Sequence, residues 1–404
     1  MCLTSLANVS REFDRDLKLL LFSMSARRIA TGFLGVVRSI YLALLGFSPI
    51  TIGLLLSFGT LVSAFHHISF GVLSDRYGRK LFLMLGALFS ASRFVIFAVT
   101  RDFWLIALGE GLGAMGEGVG AGQPVVSGYI ADKVKAAKRV SVFSTLGIAN
   151  AITTSIGSAI AGMPQLFQTA FGMDLAGSHV PLFLIGVVFS SLSFILLLPI
   201  EDVSPKEAEK INLDKRALST ESRNMIMKFS LVRSTSGLGW GLIESLLPLY
   251  FFMRFDLGSD VLGPIFAAAR LVSVVTYPLI PSVVAKLGEI RTLTTSRVLS
   301  ALVTVAFAYT DWSPLALVLL VIFRLMLMFT MPIRQSFATK IVDPGKTATA
   351  IGISNFARMG VRSVAPTLAG YMFEFLSLSM PFLIGSALMF LNGLLYYTCF
   401  QERA

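Results

Sequence analysis

The sequence predicts an all-α polytopic membrane protein, twelve transmembrane helices arranged as two pseudo-symmetric halves of six. Three observations predict it. Of 404 residues, 55% are hydrophobic and only 14% are charged, with 33 phenylalanines and a mean hydropathy of +0.77, well outside the soluble globular range. Lysines and arginines collect on alternate connections between the apolar segments. The second half also repeats marks of the first at a spacing near 210 residues: Gly53 and Gly263, Gly78 and Gly288, Trp104 and Trp312, Pro124 and Pro332, Lys138 and Lys346, Gly162 and Gly370. The tryptophan match weighs most, because the chain has only three tryptophans.

Apolar windows punctuated by Gly, Pro and charge give spans beginning near residues 18, 49, 80, 103, 139, 180, 228, 259, 291, 313, 347 and 379. The first follows Arg11, Arg15 and Lys18, exceeds the length of a signal-peptide core and has no small-residue cleavage site behind it, so it is expected to stay in the membrane. Cations then fall on every second connection: Arg76, Arg79 and Lys80; Lys133, Lys135, Lys138 and Arg139; Lys206, Lys210, Lys215, Arg216, Arg223 and Lys228; Lys286 and Arg291; Lys340 and Lys346. The opposite side offers Arg101 and Arg254. The positive-inside bias therefore predicts a multi-pass protein of the cell membrane with both termini cytoplasmic. Its expected divisions are a six-helix bundle over 1–200, a cytoplasmic inter-domain linker over 201–227 and a second six-helix bundle over 228–404. The net charge of +11 belongs to these loops and gives no reason to expect nucleic acid as a partner. Cys2 and Cys399, at the two ends and both on the cytoplasmic side, predict neither a disulfide nor a metal site.

One string needs separate treatment. Gly111, Gly113 and Gly116 spell the G-x-G-x-x-G of dinucleotide sites, but that fingerprint requires a preceding strand and a helix N-terminus facing the pyrophosphate. Here the glycines lie inside an apolar segment running from about Phe103 to Ala131, long enough for the roughly 20 residues of a membrane helix. They are expected to pack that helix, with no cofactor. No G-x-x-x-x-G-K-[ST] loop occurs either, which argues against primary pumping by ATP.

At residues 71–80 stands GVLSDRYGRK, which closely resembles the G-x-L-a-D-r-x-G-r-k signature of the major facilitator superfamily. The resemblance covers the whole chain through its twelve spans in two halves, and AKLGEIR at 285–291 reads as a worn second copy. It implies a cytoplasmic gate built on Gly71, Asp75, Arg76, Gly78 and Arg79, with Asp75 meeting the end of span eleven and Arg79 pairing with Asp132. It also implies that spans one, four, seven and ten, helped by two, five, eight and eleven, surround the central pathway. Departures leave the subfamily open: span four has Leu112 flanked by Glu110 and Glu117 where many members carry arginine, and span five lacks the Gly-Pro pair of drug–proton antiporters. The motifs of sugar and peptide porters are also missing.

Charge inside the spans carries the functional expectation. Eleven arginines fall there: Arg27, Arg28, Arg38, Arg93, Arg233, Arg270, Arg297, Arg324, Arg334, Arg358 and Arg362. Each costs about 2.5 to 3.5 kcal/mol at mid-membrane depth on insertion scales, and only three glutamates accompany them, Glu110, Glu117 and Glu244. Arg233, Arg297 and Arg334 lie near cytoplasmic ends and are expected to snorkel. At helical spacing Arg27, Thr31 and Arg38 share a face, as do Glu110 and Glu117, as do Arg233, Trp240 and Glu244, and as do Asn355, Arg358 and Arg362. The surplus of guanidinium predicts a small anionic organic solute held by Arg27, Arg28, Arg38, Arg270, Arg324, Asn355, Arg358, Arg362, Asn150 and Trp240. Glu110, Glu117 and Glu244 are the candidates for proton coupling, unless Glu110 or Glu117 merely neutralises Arg27 or Arg38. The resemblance and these charges together imply a monomeric secondary transporter working by alternating access in the lipid bilayer, with a small-molecule substrate and protons as partners and no enzyme activity. Two alternatives stand beside it: a proton-coupled multidrug exporter of lipophilic or cationic compounds, and a membrane-embedded enzyme or sensor.

Overall fold

In the computed structural model, residues 14–116, 122–134, 136–202, 220–276, 280–340 and 347–400 are described. Apart from one 3-10 turn, their regular structure is α-helical: α1 Arg15–Leu44, α2 Pro49–Tyr77, α3 Arg79–Val99, α4 Phe103–Gly116, α5 Gly122–Lys133, α6 Ala136–Ile160, α7 Met163–Phe171, α8 Val180–Leu197, α9 Thr220–Glu244, α10 Leu247–Phe255, α11 Ser259–Thr276, α12 Ile280–Leu287, α13 Glu289–Tyr309, α14 Ser313–Lys340, α15 Thr347–Phe375 and α16 Met380–Phe400. Among the described residues, eight helices are long and apolar enough to cross a membrane. Span seven, read as a single element in the sequence, is divided between α9 and α10, with Ser245 and Leu246 in a turn between them.

Local chemistry sets the helix ends. The Asp102 carboxylate accepts from the backbone N–H of Trp104 and Leu105, each at 3.0 Å, and caps α4. Gly78 and Gly288, at φ +95 and +79, are the N-caps of α3 and α13, a left-handed backbone that glycine adopts without steric cost.

These two glycines belong to an internal repeat deeper than the sequence marks. Tyr41 donates its hydroxyl to the Phe97 carbonyl at 3.2 Å, and Tyr250 donates to the Phe307 carbonyl at 3.4 Å. Phe183 closes the first group, 4.8 Å from the Tyr41 ring; Phe382 closes the second, 4.4 Å from Tyr250. Packing repeats too: α1 lies on α6 and α8 while α3 lies on α4 and α8, and correspondingly α9 lies on α15 and α16 while α13 lies on α14 and α16.

Two compact units result. Unit 1 comprises Met1–Leu45, Leu61–Asp214 and Gly258–Ala267. Its core gathers Leu20, Phe82, Leu83, Val126, Tyr129 and Leu197, and α1 approaches α6 closely where Gly32 faces Gly157 and Ser158 Oγ donates to the Gly32 carbonyl at 3.2 Å. Unit 2 comprises Gly46–Thr60, Lys215–Leu257 and Ala268–Ala404. Its matching core gathers Ile226, Phe229, Val232, Ile290, Leu293 and Tyr396. The first half of α2 packs here on α15, where Gly53 lies against Pro366 and Thr367, and Thr367 donates its N–H to Ser57 Oγ at 3.0 Å.

Candidate functional site

In unit 1, α1 carries Arg27, Arg28 and Arg38. Arg27 is buried, with a guanidinium nitrogen beside Gly86 of α3, and lies within electrostatic reach of Arg28. Arg38 Nη1 donates to Glu110 Oε2 of α4 at 2.9 Å. Glu110 is 1% exposed, and its other oxygen, Oε1, is buried with no partner among the described residues. The glycines beside it do the packing expected of them: Gly109 lies on Ile96, Gly113 on the Arg93 guanidinium, and Gly116 on Gly86 and Ser90. A side chain at Gly113 would displace Arg93, itself fully buried. Glu117 lies outside the described residues. Asn150 is half-buried on α6, and the hydroxyls of Thr153 and Thr154 return to carbonyls of their own helix.

Also in unit 1 is the turn bearing GVLSDRYGRK. Arg79 Nε donates to Asp132 Oδ2 at 3.1 Å, and its Nη1 donates to Ser74 Oγ at 2.9 Å. Arg76 is exposed and Gly78 buried, whereas the side chain of Asp75 and the surroundings of Gly71 lie outside the description.

Unit 2 repeats the Arg38–Glu110 arrangement with its charges inverted. Here the glutamate, Glu244, stands near the end of α9, and the arginine, Arg324, on α14 donates to it. Both pairs tie the first span of a unit to its fourth, helices that share no extensive packing. Arg324 and Arg38, two members of the predicted anion set, are thus held by two of the predicted proton-coupling acids.

A second group of cations in unit 2 gathers arginines of α9, α13, α14 and α15. Arg358 on α15 lies within electrostatic reach of Arg362, Arg233 and Arg334, and Arg297 of α13 within reach of Arg334. Tyr396 is the phenol they share. Arg233 Nη2 donates to Asn355 Oδ1 at 2.7 Å and stacks on Phe229, while Arg362 lies over the Trp240 ring at 4.7 Å. Gly237 and Gly241 of α9 admit the Arg358 and Arg362 stems. The Nε of Arg358, the Nε1 of Trp240, and the Nε and Nη2 of Arg297 are buried without partners among the described residues. Three acids of unit 2 are engaged elsewhere: Glu244 by Arg324, Asp311 by Arg254 at 2.7 Å, and Glu374 by the Ile50 N–H at 3.1 Å.

Arg297 corrects the sequence reading. It was expected to snorkel, yet it is 1% exposed and packs against Gly393 of α16. Depth along a helix does not say which way a side chain points. Sequence reasoning also passed over Asp16, a buried carboxylate that accepts from Lys133, from the Tyr129 hydroxyl at 3.4 Å and from the Glu201 N–H at 3.3 Å. An acid one turn from basic residues at a span's cytoplasmic end was the available signal. Arg270 is half-buried on α11, and Tyr277, expected on its face, lies outside the described residues.

With this geometry in place, likeness to known proteins can be weighed. Residues 20–366 match the Major Facilitator Superfamily. The chain belongs to that superfamily. Among similar proteins, the Saccharomyces cerevisiae membrane protein YJR124C is 20% identical over 88% of both chains. The inner membrane transport protein YajR of Escherichia coli is 32% identical, over 30% of this chain and 26% of its own. The crystal structure of the nucleoside transporter NupG superposes with a TM-score of 0.74 at 14% identity, over 96% of this chain and all of the other; at that identity the likeness is one of fold. Superfamily and fold mark a membrane transporter of small molecules rather than an enzyme.

Proposed function

We propose that this major facilitator carries a small organic anion together with protons across the cell membrane. The halves 1–200 and 228–404 rock about the 201–227 linker to expose the solute to each side in turn. One observation supports the reading: Arg358 lies within electrostatic reach of Arg233 and Arg334, and Arg297 within reach of Arg334, while the Nε of Arg358 and the Nε and Nη2 of Arg297 are buried without acceptors among the described residues. A planar carboxylate or a phosphate satisfies several guanidinium and indole donors at once, and it relieves their mutual repulsion. Proton coupling follows from the inverted pairs. An anion that takes Arg38 or Arg324 releases Glu110 or Glu244 into poorly solvated surroundings, where the carboxyl gains a proton.

The multidrug reading has one observation in its favour, a small apolar cavity in unit 2 lined by Ile243, Leu247, Thr304, Phe307, Leu320 and Phe323. It has room for little more than a water, far below the roughly 300–1,000 Å³ of drug-sized sites, and so gives that reading little support.

Purified protein in proteoliposomes separates the two. Radiolabelled succinate, benzoate and glycerol phosphate are compared with cationic dyes. Anion uptake is expected, reduced about tenfold or more in Arg358→Ala and in Arg362→Ala with membrane insertion unchanged, as for loss of a charge-assisted contact. Dye flux that ignores anions and vanishes in Glu110→Gln would establish the exporter instead.

A further inference from the structure

The turn between α2 and α3 of unit 1 is held from outside its own motif. Helix α3 starts at Gly78, whose hydrogen offers no cap to the free N–H groups of the first turn. Asp202, four residues beyond Leu198 at the end of α8, supplies one from outside: its Oδ1 accepts from the Lys80 N–H at 3.2 Å, and its carboxylate lies against Gly78. Lys80 answers in the other direction, donating Nζ to the Leu198 carbonyl at 2.7 Å. Two helix ends of opposite polarity, the N-terminus of α3 and the C-terminus of α8, are thus each capped by a charge from the other's chain, the sign in each case complementing the helix dipole. One residue earlier, Glu201 is held at both backbone groups, its N–H by Asp16 and its carbonyl by the Tyr129 hydroxyl at 3.2 Å. In unit 2, Gly288 begins α13 at φ +79, with no side-chain cap among the described residues.

We propose that Asp202 is a positioning residue for the cytoplasmic turn: its carboxylate holds the Gly78–Lys80 segment in place and ties that turn to the chain running on toward unit 2. Movement of one unit relative to the other then bears on the turn through Asp202. The inference concerns the conformational cycle and is independent of which solute is carried.

The full-length chain, with Cys2→Ser and Cys399→Ser, is labelled with spin probes at Leu81→Cys and Leu287→Cys, both exposed, in lipid nanodiscs. Inter-probe distances report the cytoplasmic opening, and hydrogen exchange at the Lys80 amide reports the cap. Asp202→Ala is expected to accelerate that exchange and to raise the population of the long-distance state about fivefold, the scale set by loss of a helix cap. Asp202→Glu is expected to restore both. Parental exchange in Asp202→Ala would show that the cap does not form, and faster exchange with unchanged distances would show that it is only structural. Failure of Asp202→Glu to recover the distances also overturns the proposal.

Discussion

Glu110 gives one oxygen to Arg38 and leaves the other buried without a partner, so its charge is maintained chiefly by a single guanidinium. Removing one member of such a pair strands the other's charge, whereas replacing both removes the desolvation penalty along with the attraction. Glu110→Gln is therefore expected to cost about 2 to 3 kcal/mol, at the low end for a buried pair because Arg38 is 24% exposed. The double variant Arg38→Met with Glu110→Leu is expected to recover most of that loss. Thermal unfolding in detergent checks it, and a double variant as unstable as the single one would assign the pair a purely stabilising role. Both residues were legible in the sequence as charges out of place in apolar segments. Their partnership was legible only as one of several, because Arg38 and Glu110 are 72 residues apart in the chain and every pairing of Arg27 or Arg38 with Glu110 or Glu117 had equal claim. Arg297 shows the opposite limit: its position along α13 could be read, its inward direction could not.

At the scale of helices, the small residues decide how closely the spans approach. Gly157 of α6 stands against the Ile29 carbonyl and Gly32 of α1, and a side chain there would meet backbone that cannot give way. Gly157→Val is expected to destabilise unit 1 by about 1 to 3 kcal/mol as an overpacked contact, and to lower the yield of monodisperse protein on size exclusion. A change of similar volume at Gly147, which has open space about it, is expected to be tolerated. Glycine content was visible in the sequence, and for G-x-G-x-x-G it correctly indicated helix packing, since Gly113 receives Arg93. Which glycine in span five mattered was not visible, because Gly147 and Gly157 look alike until a neighbouring helix is placed beside them. The Tyr41–Phe97 and Tyr250–Phe307 bonds escaped notice for a related reason: a hydroxyl reaching a carbonyl on another span leaves no periodic trace.

For the whole molecule, the two units repeat their packing while inverting their ion pairs, and this yields the last prediction. In unit 1 the first span carries the arginine, in unit 2 the glutamate. On the function proposed above, an anion competes for Arg38 on α1 and for Arg324 on α14, and either exchange sets free a carboxylate that takes up a proton as the solute binds. Acid on the side of binding therefore favours loading, and an alkaline interior favours release. Uptake of the transported anion into proteoliposomes is expected to accumulate when the interior is more alkaline than the bath, and to fall to simple equilibration when the pH is equal. In the double variant Glu110→Gln with Glu244→Gln neither carboxyl can take a proton, yet both arginines keep a neutral hydrogen-bond acceptor. Exchange of labelled for unlabelled anion at equal pH is expected to persist there, while accumulation driven by the pH gradient disappears. Each single variant, with one carboxyl remaining, is expected to retain about half of the proton uptake per solute, measured with a pH-sensitive dye trapped inside the vesicles. Accumulation in the double variant at the parental level would place the proton elsewhere and leave the inverted pairs as straps across the first and fourth spans.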